Sequence, residues 1–252
     1  MATGVLPIAV GKATRLLPFL PSDKAYRARV RLGQRTTTDD LEGEIITSQD
    51  ASGVSLTQVE SRLPQFLGVI QQVPPAYSAI SVGGKRLYEL ARMGKAVEVP
   101  VRSVSVQQIE IIGWYQGEFP EVELAIACGP GTYIRAIARD LGDSLGVGAT
   151  LAALTRTSSC GFSLKDSLTL TQIESELNLI PPLVALKHLE TITLTPELAQ
   201  RWCQGQKIPI ISPTPTTEEP LLVIAAASQD FLGLGNLIFS DNQCLLVPKL
   251  VM

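Results

Sequence analysis

Within residues 24–33, Arg27, Arg29 and Arg31 alternate with Ala28, Val30 and Leu32. A period of two sends successive side chains to opposite faces of a strand. One face of that strand can enter a core, and the other must carry three guanidiniums. Such a basic face is costly unless it is solvated, paired or set against phosphates. A solvated sheet face and a phosphate-binding surface are equally open on this pattern.

The strand runs into a polar loop over 34–43, with Asp39, Asp40 and Glu42, followed by Glu44. These carboxylates could bind a hard cation, stand in solvent, or pair with a neighbouring guanidinium. Helical spacing of Leu56, Val59, Leu63, Phe66, Leu67 and Ile70 predicts a helix over 55–70, kinked or broken at Pro64. Pro74-Pro75-Ala76-Tyr77-Ser78 reads as an extended turn. Beyond Gly83-Gly84, residues 85–94 predict a short basic amphipathic helix stopped by Gly94. Strands are expected over 97–114 and 122–127.

Gly129-Pro130-Gly131-Thr132 precedes a helix over 133–145, whose apolar stripe is Ile134, Ile137, Ala138, Leu141 and Leu145. The glycines invite a dinucleotide reading, which fails because Ile134 occupies the third glycine position. Gly142, Gly146 and Gly148 read as a helix end and turn. Thr171 and Glu174 form a capping box, and Pro181-Pro182 marks a boundary. A short helix over 196–203, a Pro/Thr-rich loop over 209–220 and strands near 221–227, 235–239 and 243–247 make a small β-rich unit. The organisation expected is an α+β body over 1–185 and a second domain over 186–252.

Composition excludes several chemistries. His188 is the only histidine, so multi-histidine metal sites are ruled out and a Ser-His-Asp triad has little room. Its place after an apolar stretch predicts a structural role. Cys128, Cys160, Cys203 and Cys244 form no CxxC pair, and buried reduced thiols in a cytoplasmic protein are expected. No apolar run approaches the ~20 residues that span a bilayer. The first residues have no charged n-region of a signal peptide, and they read like the middle of a folded element. The net charge of −3 conceals an asymmetry: residues 1–165 carry 17 Lys/Arg against 15 Asp/Glu, and residues 166–252 carry 4 against 9. That split allows a polyanion-binding body beside an acidic C-terminal part.

Four blocks in order carry a resemblance. They are Ala2-Thr3-Gly4-Val5-Leu6-Pro7 running to Arg15; Lys24-Ala25-Tyr26-Arg27 running to Asp39-Asp40-Leu41-Glu42-Gly43; Pro74 to Ala79 with Gly84-Lys85-Arg86-Leu87-Tyr88; and Gly129 to Arg135 with Leu141-Gly142 and Leu154-Thr155-Arg156. Together, from residue 2 to about 165, they resemble the TruB-type tRNA pseudouridine synthases. The resemblance implies a mixed, largely antiparallel sheet flanked by helices. It implies isomerisation of the T-loop uridine (position 55) of tRNA, without cofactor or metal, by a cytoplasmic monomer needing no protein partner. Residues 194–206 more weakly resemble the start of a PUA-like domain.

By that resemblance, Tyr26 offers the aromatic face for a flipped base. Arg135 orients the catalytic carboxylate, Asp40 is the partner of Arg135, and Leu154 lines the uracil pocket. Arg27, Arg29, Arg31, Lys85 and Arg86 are candidate phosphate contacts. These residue types suit the reaction. Flipping a base costs a few kcal/mol, stacking on an aromatic ring returns roughly 1–3 kcal/mol, and a planar guanidinium can hold a carboxylate with two donors.

Two departures from the family pattern stand out. Its motif runs Gly-Thr-Leu-Asp-Pro-x-Ala-x-Gly-x-Leu, and Ala2, Gly4 and Leu6 match only its tail. The aspartate falls upstream of Met1, so these 252 residues are expected to lack the nucleophile. Ser81 stands where many relatives carry lysine. Two readings follow: a tRNA pseudouridine synthase whose sequence begins too late, or a catalytically dead tRNA-binding or RNA-folding module.

Overall fold

A computed structural model describes residues 2–93, 99–175, 178–210, 219–240 and 243–252. The chain forms two compact units: Met1–Pro7 with Ser22–Ser167, and Ile8–Pro21 with Leu168–Met252. The second unit is therefore discontinuous. It takes in residues 8–21 and 168–185, which the sequence reading assigned to the first domain.

In the first unit the strands are β1 (Ala2–Gly4), β2 (Lys24–Leu32), β3 (Gln34–Thr36), β4 (Ile45–Ser48), β5 (Gly68–Gln72), β6 (Ser81–Val82), β7 (Lys85–Arg86), β8 (Arg102–Tyr115), β9 (Glu121–Cys128), β10 (Ala149–Ser159) and β11 (Phe162–Ser163). The helices are α1 (Leu56–Arg62), α2 (Leu87–Arg92) and α3 (Ile134–Ser144). The main sheet runs β1-β10-β2-β9-β8-β5, with β11 paired to β10. Only β1 and β10 run parallel.

The alternation in β2 does what period two requires. Ala28, Val30 and Leu32 are buried with Val122, Leu124 and Ile126 of β9. Against this face pack Ile134, Ile137, Ala138 and Leu141 of α3, with Val59 of α1. Ser55 caps α1 in a reciprocal box with Gln58. Of the kink or break expected at Pro64, the structure has the break: α1 ends at Arg62, Leu63–Phe66 is a 3-10 turn, and Ile70 lies in β5. Lys85 and Arg86 are strand residues, not helical ones. Gly83 and Gly84, with φ of +58° and +81°, close the β6–β7 hairpin, the left-handed pair that a two-residue turn requires. Gly94 and Val97, placed by the sequence reading at a helix stop and a strand start, lie outside the described residues.

The glycines around α3 have separate tasks. A Cβ on Gly142 would stand 2.1 Å from the Ala149 backbone nitrogen, so only glycine lets α3 cross the start of β10. A Cβ on Gly4 would stand 2.2 Å from the Arg156 carbonyl oxygen.

In the second unit, α4 (Leu170–Ser175), α5 (Pro182–Ala185) and α6 (Pro196–Cys203) accompany strands β12 (Thr191–Leu194), β13 (Ile208–Ile210), β14 (Leu221–Ala225), β15 (Phe231–Ser240) and β16 (Gln243–Val251). They form one sheet, β12-β14-β15-β16-β13. The cap of α4 is Thr169 with Gln172, two residues earlier than the box read from sequence. Most of the Pro/Thr-rich loop, residues 211–218, lies outside the described residues.

Trp202 fills one cluster with Leu194, Ile208, Val223 and Leu246, and donates from Nε1 to the Leu232 carbonyl at 3.0 Å. Leu16 and Phe19, from the 3-10 helix Gly11–Phe19, pack with Leu186, Leu222, Leu234 and Leu250. His188 Nε2 lies 3.0 Å from the Phe19 carbonyl oxygen, a structural tie within this unit. Because Lys12 and Arg15 join it and Asp166 falls in the first unit, the second unit carries a net charge of −2, not the −5 counted over residues 166–252.

Candidate active site

Strand β10 organises the residues singled out from sequence. Leu154 pairs with Ala28 of β2 and with Ala2 of β1, and Arg156 pairs with Tyr26 and with Gly4. Tyr26 and Leu154 both pack, half-buried, against the same apolar cluster. Three residues before Leu154, Leu151 donates its N–H to the Asp39 carbonyl (3.0 Å) and accepts from Leu41 N–H (3.2 Å). The Asp39-Asp40 turn thus lies beside the strand that carries the pocket residue.

Arg135 reaches that turn from the first turn of α3. Its Nη1 donates to Asp40 Oδ2 at 3.1 Å and to the Thr38 carbonyl at 2.9 Å, and its Nη2 donates to the Tyr77 carbonyl at 2.8 Å. The other carboxylate oxygen of Asp40 accepts from Thr38 Oγ1 (2.6 Å) and from the Glu42 amide (3.1 Å). Both carboxylate oxygens of Asp40 and both terminal nitrogens of Arg135 are thereby engaged, as a partly buried ion pair demands.

Burial pushes the Tyr26 hydroxyl above its ordinary pKa, and the Arg156 guanidinium opposes that shift. Arg156 also donates from Nε to the Val5 carbonyl at 2.6 Å, which fastens the chain after β1 to β10.

Arg27, Arg29 and Arg31 stand on the opposite face of β2 from Tyr26, Ala28 and Val30. They meet two carboxylates of β9: Arg27 Nε lies 2.5 Å from Glu123, Arg31 Nε lies 2.8 Å from Glu121, and Arg29 stands 3.7 Å from Glu121 and 3.9 Å from Glu123. Arg29 also covers the Tyr115 ring, 4.7 Å from its centroid. Glu123 is held well below the usual carboxylate range by Arg27; burial opposes this and the Tyr115 hydroxyl assists. Cross-strand pairing therefore occupies these arginines. Lys85 and Arg86 are exposed on the β6–β7 hairpin. Arg86 folds back on the Ala79 carbonyl, 2.5 Å away.

Three residues of the site were not singled out by the sequence reading. Gln72 is 1% exposed and clasps the start of α3, accepting from Tyr133 N–H (2.8 Å) and donating to the Tyr133 carbonyl (3.1 Å). No sequence pattern marks it. Arg156 stands in the Leu154-Thr155-Arg156 block, but the sequence reading gives it no role there. Arg139 had a legible signal, since it follows Arg135 at i+4 and so shares its helix face. Arg139 donates to Asp39 (3.0 Å), Asp140 (2.8 Å) and the Val73 carbonyl (2.8 Å). Burial raises the Asp39 and Asp140 carboxyls, with Arg139 opposing in both cases. Among the described residues no group of three or more His, Cys, Asp or Glu is placed to hold a metal ion, and no helix is long and apolar enough to cross a membrane.

Comparison with known proteins identifies the family. The family model "TruB family pseudouridylate synthase (N terminal domain)" matches residues 1–134, and "Pseudouridine synthase II TruB, C-terminal" matches residues 191–251. A tRNA pseudouridine synthase B of Gloeothece citriformis is 55% identical over 260 residues, covering 100% of this chain and 84% of its own length. That of a Nostoc species is 55% identical over 255 residues, covering 99% and 85%. Among solved structures, a Cbf5-Nop10-Gar1 complex matches with a TM-score of 0.68 at 22% identity, covering 99% of this chain and 73% of that one. This last likeness shows the fold, an α+β body with a mixed sheet and a β-rich C-terminal part. On its sequence, the chain belongs to the TruB family of pseudouridylate synthases.

Proposed function

We propose that this protein is a tRNA pseudouridine synthase acting on the T-loop uridine of the T-arm. The target base leaves the stack, lodges between the Tyr26 ring and Leu154, and is isomerised with the help of an aspartate oriented by Arg135. The observation that carries this reading is the gathering along β10. Leu154 and Arg156, the latter the register partner of Tyr26, lie on β10, and Ala2 of the motif tail and the Asp40 turn pair against it at Leu154 and Leu151. Arg135 then closes the arrangement onto Asp40.

The pairing of Ala2 with Leu154 supports a place for the aspartate beside the pocket, because the family motif sets it just ahead of this alanine. The reaction needs no redox partner: a glycosidic C–N bond breaks, the uracil turns, and a C–C bond forms. Lys85 and Arg86, exposed beside the Tyr77 loop, suit the RNA backbone better than the paired arginines of β2. The relatives named tRNA pseudouridine synthase B support tRNA as substrate.

Tritium release from tRNA labelled at uridine C5 tests the reading. The chain joined behind the upstream residues of the Gloeothece citriformis relative should release tritium. A tRNA with cytidine in place of the T-loop uridine should release none. The 252 residues alone should bind tRNA without turnover; release by them alone would assign the nucleophile to another residue.

A further inference from the structure

We propose that Arg139 is a second positioning residue of this site, fixing the Asp39-Asp40 turn and the 73–77 stretch in the register that Arg135 needs. The claim rests on reading the site as a pseudouridine synthase pocket. Arg135 and Arg139 stand one helical turn apart on α3. Each takes one carboxylate of the adjacent pair: Arg135 takes Asp40, and Arg139 takes Asp39. Each also takes one carbonyl from the same neighbouring stretch, Tyr77 for Arg135 and Val73 for Arg139. The helix thus holds two separate loops through two parallel forks.

Asp39 has φ of +60°. This left-handed conformation turns the chain so that consecutive aspartates face different arginines, and aspartate adopts it more readily than most residues. The Asp39 carbonyl is meanwhile held by Leu151 N–H, so the turn is fixed to β10 as well as to α3. Arg139 is 15% exposed and uses all three guanidinium nitrogens on three different acceptors. Lysine carries its three donors on a single nitrogen and lacks the planar fork that reaches these separated acceptors. Without the fork, Asp40 keeps its arginine but loses its fixed backbone, and Arg135 loses one wall of its socket.

Two measurements on the full 252-residue chain test this, using Arg139→Lys and Arg139→Ala. The first is amide hydrogen exchange without RNA. Exchange over 38–44 and over 73–78 should rise together by about tenfold or more, while α1 and β8 stay protected. A rise confined to one loop, or spread over the whole unit, overturns the proposal. The second is fluorine NMR of a T-arm hairpin carrying 5-fluorouridine at the target position. Both variants should bind the hairpin within about threefold of the parent, since phosphate contacts lie elsewhere. Their pocket-shifted resonance should nevertheless fall sharply, a spectroscopic change that loss of stability alone does not produce. A full pocket signal in both variants overturns the positioning role. Absence of any shifted signal in the unsubstituted chain counts against the pocket reading instead, and the exchange result then decides Arg139 by itself.

Discussion

Arg135 and Asp40, ninety-five positions apart in the chain, meet at 3.1 Å, with the same guanidinium also gripping the carbonyls of Thr38 and Tyr77. One side chain thus joins a helix, an acidic turn and a proline-rich loop. Its planar fork is the reason it can do so. Arg135→Lys should keep the fold, because lysine still neutralises Asp40, yet lose turnover by roughly 10²-fold, the scale of a misplaced catalytic geometry. Tritium release by the chain joined behind the upstream residues of the Gloeothece citriformis relative checks this, with the thermal midpoint as the control for folding. Near-normal rates would argue against the anchoring role.

Tyr26 lies on the core face of β2 with its ring half-buried and its hydroxyl near Arg156. Tyr26→Phe preserves the ring, whereas Tyr26→Ala removes it. The alanine variant should lose about 1–3 kcal/mol of base stacking, and the phenylalanine variant far less. Capture of a 5-fluorouridine-containing T-arm hairpin separates the two. Equal losses would place the base somewhere other than against this ring.

Glu123 and the Asp39–Asp140 pair respond to acid in opposite senses. The Glu123 pKa is depressed in the folded state, so its contribution is present above the ordinary carboxylate range and disappears as pH falls through the lowered value. Asp39 and Asp140 are raised, so they disfavour the fold at neutral pH and cease to do so as they protonate. Glu123→Gln should therefore be less stable than the parent at pH 7 and show a flatter loss of stability toward pH 3. Urea midpoints measured across that range test it. A variant as steep as the parent would place the acid sensitivity elsewhere.

Gly142 allows α3 to cross the start of β10. Gly142→Ala places a methyl group on backbone rather than on a yielding side chain, an overlap that costs about 1–3 kcal/mol. For a chain of this size the expected fall in Tm is roughly 2–4 °C per kcal/mol. Gly146→Ala meets no atom, and its expected loss comes only from its φ of +75°. Differential scanning of the two variants side by side would sink the close-approach argument if Gly142→Ala proved the milder.

What could be read in the sequence was local. The alternation of Ala28, Val30 and Leu32 fixed a strand and its buried face, since period two depends only on neighbouring residues. The stripe from Ile134 to Leu141 fixed the helix that carries Arg135. The motifs pointed to Tyr26, Asp40, Arg135 and Leu154 as one group. Tertiary structure decided which charges meet. It set Glu121 and Glu123 of β9 against the β2 arginines, because sheet register puts strands ninety residues apart side by side. It also gave Arg139 its two loops, and drew residues 8–21 into the C-terminal unit by burying Leu16 among leucines more than 160 positions away. Periodicity is set along the chain. Ion-pair partners and domain membership depend on which surfaces the fold brings into contact.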